Sequence, residues 1–172
     1  IPVTGMKGQC SIIDVNTGLA HATYPKTHVD HKIELQVVGY AWHTMEGGGN
    51  RRTEKQLNEL KTLVNNAANL NVTTPEINLA KGGSGGAFNQ AIKNVASDGV
   101  IMNPDFNISQ FMSAHAPLSG NVRRNICRSV VNTWDDYLDT KLGECKTNTL
   151  KNVYKDNLHQ LLFDKLKIDE GF

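Results

Sequence analysis

The class this sequence predicts is α+β: a small N-terminal antiparallel sheet of about three strands packed against a helical C-terminal part of four to five helices. Three observations carry it. Apolar residues alternate in short runs before residue 48, they recur at three- and four-residue spacing from residue 52 to about 168, and no internal repeat relates the two parts. Strands gathered first and helices after call for helices laid over one face of the sheet. The domain organisation is one domain over 1–172, β-rich over 1–48 and helical over 52–168, long enough to bury roughly two-thirds of its unfolded surface.

The elements follow in order. Gly8 to Val15, the turn Asn16-Thr17-Gly18, and Leu19 to Tyr24 form a hairpin pattern. From Lys32, Ile33, Leu35 and Val37 alternate and the phase then slips to Val38, Tyr40 and Trp42, which predicts one strand bulged at Gly39. After Gly47-Gly48-Gly49-Asn50 the period changes. Thr53-Glu54-Lys55-Gln56 is a capping box, and Leu57, Leu60, Leu63, Val64 and Ala67 form the stripe of a helix that ends before Pro75. Lys81-Gly-Gly-Ser-Gly-Gly86 reads as a flexible joint, natural or engineered, ahead of a short helix from Ala87 to Ala96. Asn103-Pro104 opens a further helix carrying Ile108, Phe111, Met112 and His115. Ser119 caps a long helix running to Leu142, closed by Gly143, and the last helix covers about Asn148 to Lys165. The short link between these two makes them an antiparallel pair.

The charge balance, 18 basic against 17 acidic residues and a net +1, excludes a general nucleic-acid binder, which needs a strong basic excess on one face. No apolar run approaches the ~18 residues of a membrane span.

The long helix breaks a local rule. Arg123, Arg124 and Arg128 crowd its start and Asp135, Asp136 and Asp139 its end, opposite to what the helix dipole favours, at roughly 0.3–1 kcal/mol per exposed charge. Something elsewhere must offset that cost, and this makes the helix start a candidate binding site. Ser119 and Asn121 bring the first-turn backbone, and Arg123 and Arg124 the guanidinium donors, for a phosphate, sulfate, carboxylate or acidic protein surface.

The cysteines are Cys10, Cys127 and Cys145. On one continuous helix Cys127 and Cys145 stand roughly 20 Å apart, whereas a disulfide needs Cα atoms within about 7 Å. A bridge, if formed, therefore uses Cys10. Cys127 also lies on an apolar stripe, where thiols are inert.

Four histidines, His21, His28, His31 and His43, fall in the first third of the chain. The run His28-Val29-Asp30-His31 resembles the tail of the His-x-His-x-Asp-His signature of metallo-β-lactamase-like hydrolases. The resemblance covers four residues, and Lys26 stands where the signature has its first histidine. It implies a metal site at His28, Asp30 and His31 in which bound zinc activates water. The stretch Leu118 to Cys145, a Trp-Asp helix between cysteines, resembles the disulfide-bounded part of type IV pilins. That family's apolar N-terminal helix is absent, and its bridge conflicts with the distance just given.

The leading functional expectation is a non-catalytic, secreted or extracytoplasmic binding or assembly protein, such as a toxin or effector. It has no cofactor and recognises a protein partner or small anionic ligand at Ser119, Asn121, Arg123 and Arg124. The alternatives are a small metal-assisted hydrolase built on the His/Asp cluster and a capsid or filament subunit.

Overall fold

The computed structural model describes residues 12–45, 52–95 and 106–171. In chain order the elements are β1 (His28–His31), α1 (Leu35–Thr44), α2 (Glu54–Val64), β2 (Leu70–Thr73), α3 (Pro75–Gly82), α4 (Ala87–Val95), α5 (Ile108–His115), α6 (Gly120–Thr133), α7 (Asp139–Gly143) and α8 (Lys155–His159). The architecture is α+β, a small antiparallel sheet against a helical C-terminal region.

The sheet has two strands among the described residues, paired antiparallel from His28 opposite Thr73 to His31 opposite Leu70. Its second strand comes from beyond α2, outside the part that reads as β-rich. Leu70-Asn71-Val72-Thr73 escapes the strand pattern because its polar residues are buried as deeply as Val72. The expected hairpin survives as one bridge, Ile13 with Ala20, across a turn in which Gly18 adopts φ 75°. Gly8 to Ser11 lie outside the described residues.

The segment expected to be a bulged strand is helix α1. Its buried residues are Val37, Val38, Ala41 and Trp42, a pairwise i, i+4 spacing. What looks like a bulge at Gly39 is the step from one helical turn to the next, and packing overrides the β-propensity of Val, Tyr and Trp. Tyr154 and Asn157 hold α1 by donating to its carbonyls, Tyr154 OH to Val38 O at 3.0 Å and Asn157 Nδ2 to Ala41 O at 2.7 Å.

The capping box forms as expected, Gln56 N donating to Thr53 Oγ1 at 3.2 Å and Thr53 N to Gln56 Oε1 at 3.0 Å. Pro75 starts α3, with Thr74 as its cap. The Gly-rich run that follows is no loose joint. Gly86 N donates to Gly83 O at 2.7 Å, and a Cβ on Gly86 would sit 2.8 Å from Lys81 O and 2.7 Å from Gly83 N. A Cβ on Gly82 would overlap Glu34 Oε2. The turn is packed, and glycine is what lets the backbone pack there. Asn107, rather than the Asn103-Pro104 pair that lies outside the described residues, caps α5 by accepting from Gln110 N at 2.9 Å.

The long helix is continuous over 120–143, capped by Ser119 and closed at Gly143, with a π-helical turn at Trp134–Leu138 between α6 and α7. The last helix likewise runs over 149–165, with π segments Thr149–Tyr154 and Gln160–Lys165 flanking α8. Both sequences explain this. Ile126, Val130, Trp134, Leu138 and Leu142 are buried at every fourth position, as are Leu150, Tyr154, Leu158, Leu162 and Leu166. An α-helix turns 100° per residue, so a four-residue repeat drifts about 40° per step off the buried face. A wider π turn takes up that drift and returns each side chain to the core. Each fully buried leucine contributes roughly 1.5–3 kcal/mol by leaving water.

Candidate functional site

The expected metal ligands are not brought together. His28 and Asp30 share the face of β1 turned to α3, where His28 Nδ1 meets Asn78 Nδ2 at 3.2 Å. His31, one residue on, points the other way and bonds Asn65 Oδ1 at 2.8 Å. Asp30 is occupied by Lys81, whose Nζ lies 2.5 Å from Asp30 Oδ2. Among the described residues no cluster of three or more His, Cys, Asp or Glu suits a metal ion.

That lysine belongs to a buried charge cluster which sequence reasoning missed. Lys81 Nζ also donates to His31 O at 2.7 Å and lies 2.9 Å from Glu34 Oε1. The three side chains are 1%, 2% and 5% exposed for Lys81, Asp30 and Glu34. Two carboxyls face one ammonium, so a single positive charge must serve both. Burial pushes the Glu34 carboxyl up to about 7; the Lys81 charge opposes the rise, and Asp30 adds to it. The acids beside Lys81 outweigh the desolvation of its own ammonium and raise its pKa. The cluster ties β1, the start of α1 and α3 together. A pattern reading has no signal for it, because Lys81 in a glycine-rich context looks like a surface residue.

A second buried acid was also missed. Asp14 accepts from Asn16 N at 2.9 Å, Asn71 Nδ2 at 2.8 Å, Thr73 Oγ1 at 2.8 Å and Tyr24 OH at 2.8 Å. These donors pin the turn after Ile13 to β2. A two-stranded ribbon is marginal in water on its own, and Asp14 and Lys81 anchor this one to its surroundings.

Both described cysteines lie in surroundings that disfavour the thiolate. Cys127 and Cys145 are buried free thiols and do not pair with each other, as the distance argument expects, and Cys10 lies outside the described residues. Burial pushes both thiols up to about 12. Cys127 is covered by Gly171, where a Cβ would overlap its Sγ.

The start of α6 holds the expected cationic residues together. Ser119 Oγ accepts from Val122 N at 3.2 Å, and the amides of Gly120 and Asn121 belong to the first turn, which an α-helix leaves without intrahelical acceptors. Both guanidiniums fold back over Gly120: the position its Cβ would take is 3.3 Å from Arg124 Nη1 and 3.6 Å from Arg123 Nη2. Arg124 Nη2 donates to Asn121 Oδ1 and Arg123 Nη1 to Leu118 O, each at 2.7 Å. These partners are neutral, so they fix position without cancelling charge. Arg123 Nε is buried and finds no acceptor among the described residues. Among the described residues no carboxylate lies within 4 Å of either guanidinium. At the acidic end the reversal is partly offset, since Lys155 Nζ approaches Asp139 Oδ1 at 3.6 Å.

No helix among the described residues is long and apolar enough to cross a membrane. Comparison of the chain with protein-family models, with characterised proteins and with solved structures gave no match in any of the three.

Proposed function

We propose that this chain is a non-catalytic binding or assembly domain that recognises an anionic ligand or an acidic protein surface at the first turn of α6. One observation carries the reading: two guanidiniums converge over Gly120 at the positive pole of a continuous helix, held among the described residues by neutral oxygens. A guanidinium has five N–H donors, so each retains donors for a bidentate contact. The exposed Arg124 is the recognition side chain, and the half-buried Arg123 is both donor and anchor of the turn.

The test is a titration of isotope-labelled protein with inorganic phosphate and with a short polyglutamate peptide, followed by amide shifts. The expected result is saturable movement of the Gly120, Asn121 and Val122 amides, lost in Arg124→Ala with thermal melting retained, and lost also in the Arg123→Ala/Arg124→Ala variant. Amides that ignore both probes, or that respond equally in the variants, would falsify the reading.

A further inference from the structure

Helices α1 and α2 do not close on each other, and the gap between them is a groove of about 400 Å³. It is lined by Leu35, Val38, Gly39 and Trp42 on the α1 side and by Leu57, Leu60 and Val64 on the α2 side. This volume falls at the small end of ligand sites, which run roughly 300–1,000 Å³ and are mostly apolar with a few placed polar groups.

One feature is costly unless the groove is used, and a second gives the groove a fixed wall. Glycine inside a helix costs about 1 kcal/mol relative to alanine, and Gly39 sits mid-helix. Crowding does not require it, because nothing lies within 4 Å of where its Cβ would be. A side chain at that position would instead extend into the groove. Trp42, the largest wall residue, is pinned from behind by Tyr154, ring centroids 6.1 Å apart at 62°, so it presents a fixed surface.

The polar groups on the rim set the sign of the ligand. Lys61 lines the groove, and among the described residues its ammonium has no carboxylate within 4 Å. His43 and Asn65 are the other polar side chains of the lining, and among the described residues no acid contributes to it. We infer that the groove between α1 and α2 binds a small amphipathic organic anion, its apolar body against Leu35, Leu57 and the edge of Trp42 and its charged head at Lys61. This site is independent of the first turn of α6.

The experiment is calorimetric titration of the whole chain with decanoate and, as the neutral match, decanol. One-site binding of decanoate is expected, with decanol at least tenfold weaker. Gly39→Leu, which fills the groove, should abolish binding while the protein still melts cooperatively, and Lys61→Glu should weaken decanoate at least tenfold without affecting decanol. Lys61 is exposed, so its variant carries the test even where Gly39→Leu fails to fold. Absence of saturable decanoate binding, equal affinity for decanol, or undiminished binding by the Lys61 variant would each overturn the proposal.

Discussion

Lys81 Nζ stands 2.5 Å from Asp30 Oδ2 with both side chains almost wholly removed from water, joining α3 to β1. Breaking a buried pair by removing one partner leaves an uncompensated charge and costs roughly 3–5 kcal/mol. Lys81→Met should lose about that much, since Asp30 and Glu34 would then face each other alone. Urea unfolding at pH 7 measures it. A loss under ~1 kcal/mol would show that the ammonium does not hold these elements together.

The same cluster makes stability depend on pH. Burial raises the Glu34 carboxyl from 4.5 to about 7, so the folded chain keeps a proton there over a range in which the unfolded chain has released it. Stability from this group is full below about pH 4.5 and is lost as pH rises through about 7, with an upper limit of roughly 3 kcal/mol at 1.36 kcal/mol per unit. Unfolding free energies at pH 5 and pH 8 should differ in that direction. In Glu34→Gln the difference should shrink, and an unchanged difference would assign it to other groups.

The glycine-rich turn separates two outcomes cleanly. Gly86→Ala puts a methyl against backbone atoms under 3 Å away and should cost about 1–3 kcal/mol. Gly85→Ala meets nothing within 4 Å and should be neutral or stabilising by up to about 1 kcal/mol. Thermal melts of the pair decide; equal melting temperatures would restore the flexible-joint reading.

Thiol chemistry should report folding rather than activity. With Cys10 replaced by serine, Cys127 and Cys145 are the thiols left, both with pKa pushed up to about 12 by burial. At pH 8 that leaves about a thousandfold less thiolate than in the unfolded chain. Labelling by 5,5′-dithiobis(2-nitrobenzoate) should therefore be negligible in native buffer and complete in guanidinium. Rapid native labelling would mean the segment over Cys127 opens readily.

What the sequence alone reveals is mostly local. The capping box at Thr53, the Ser119 cap, the Gly143 stop and the extent of both C-terminal helices depend on neighbours within a few residues, and they were readable. The first turn of α6 was readable for the same reason, because its arginines lie one turn from their cap. Helix α1 has the sequence pattern of a strand because Val37 and Val38 side by side mimic a slip in register. Strand β2 and Asp14 were invisible, since Asn71 and Thr73 are buried by an acid 57 and 59 residues away. Lys81 and Asp30, 51 residues apart, pose the same difficulty. Polar residues that satisfy one another across the fold carry no periodicity.

The buried residues spaced four apart have a consequence for the shape of the C-terminal helix pair. Repeats of seven residues wind neighbouring helices into left-handed coils, and repeats longer than 3.6 residues per turn wind them the opposite way. A strict four-residue repeat would demand steep right-handed winding along the whole pair. Three local unwound turns discharge that torsion, so two short rods can lie side by side without twisting about each other.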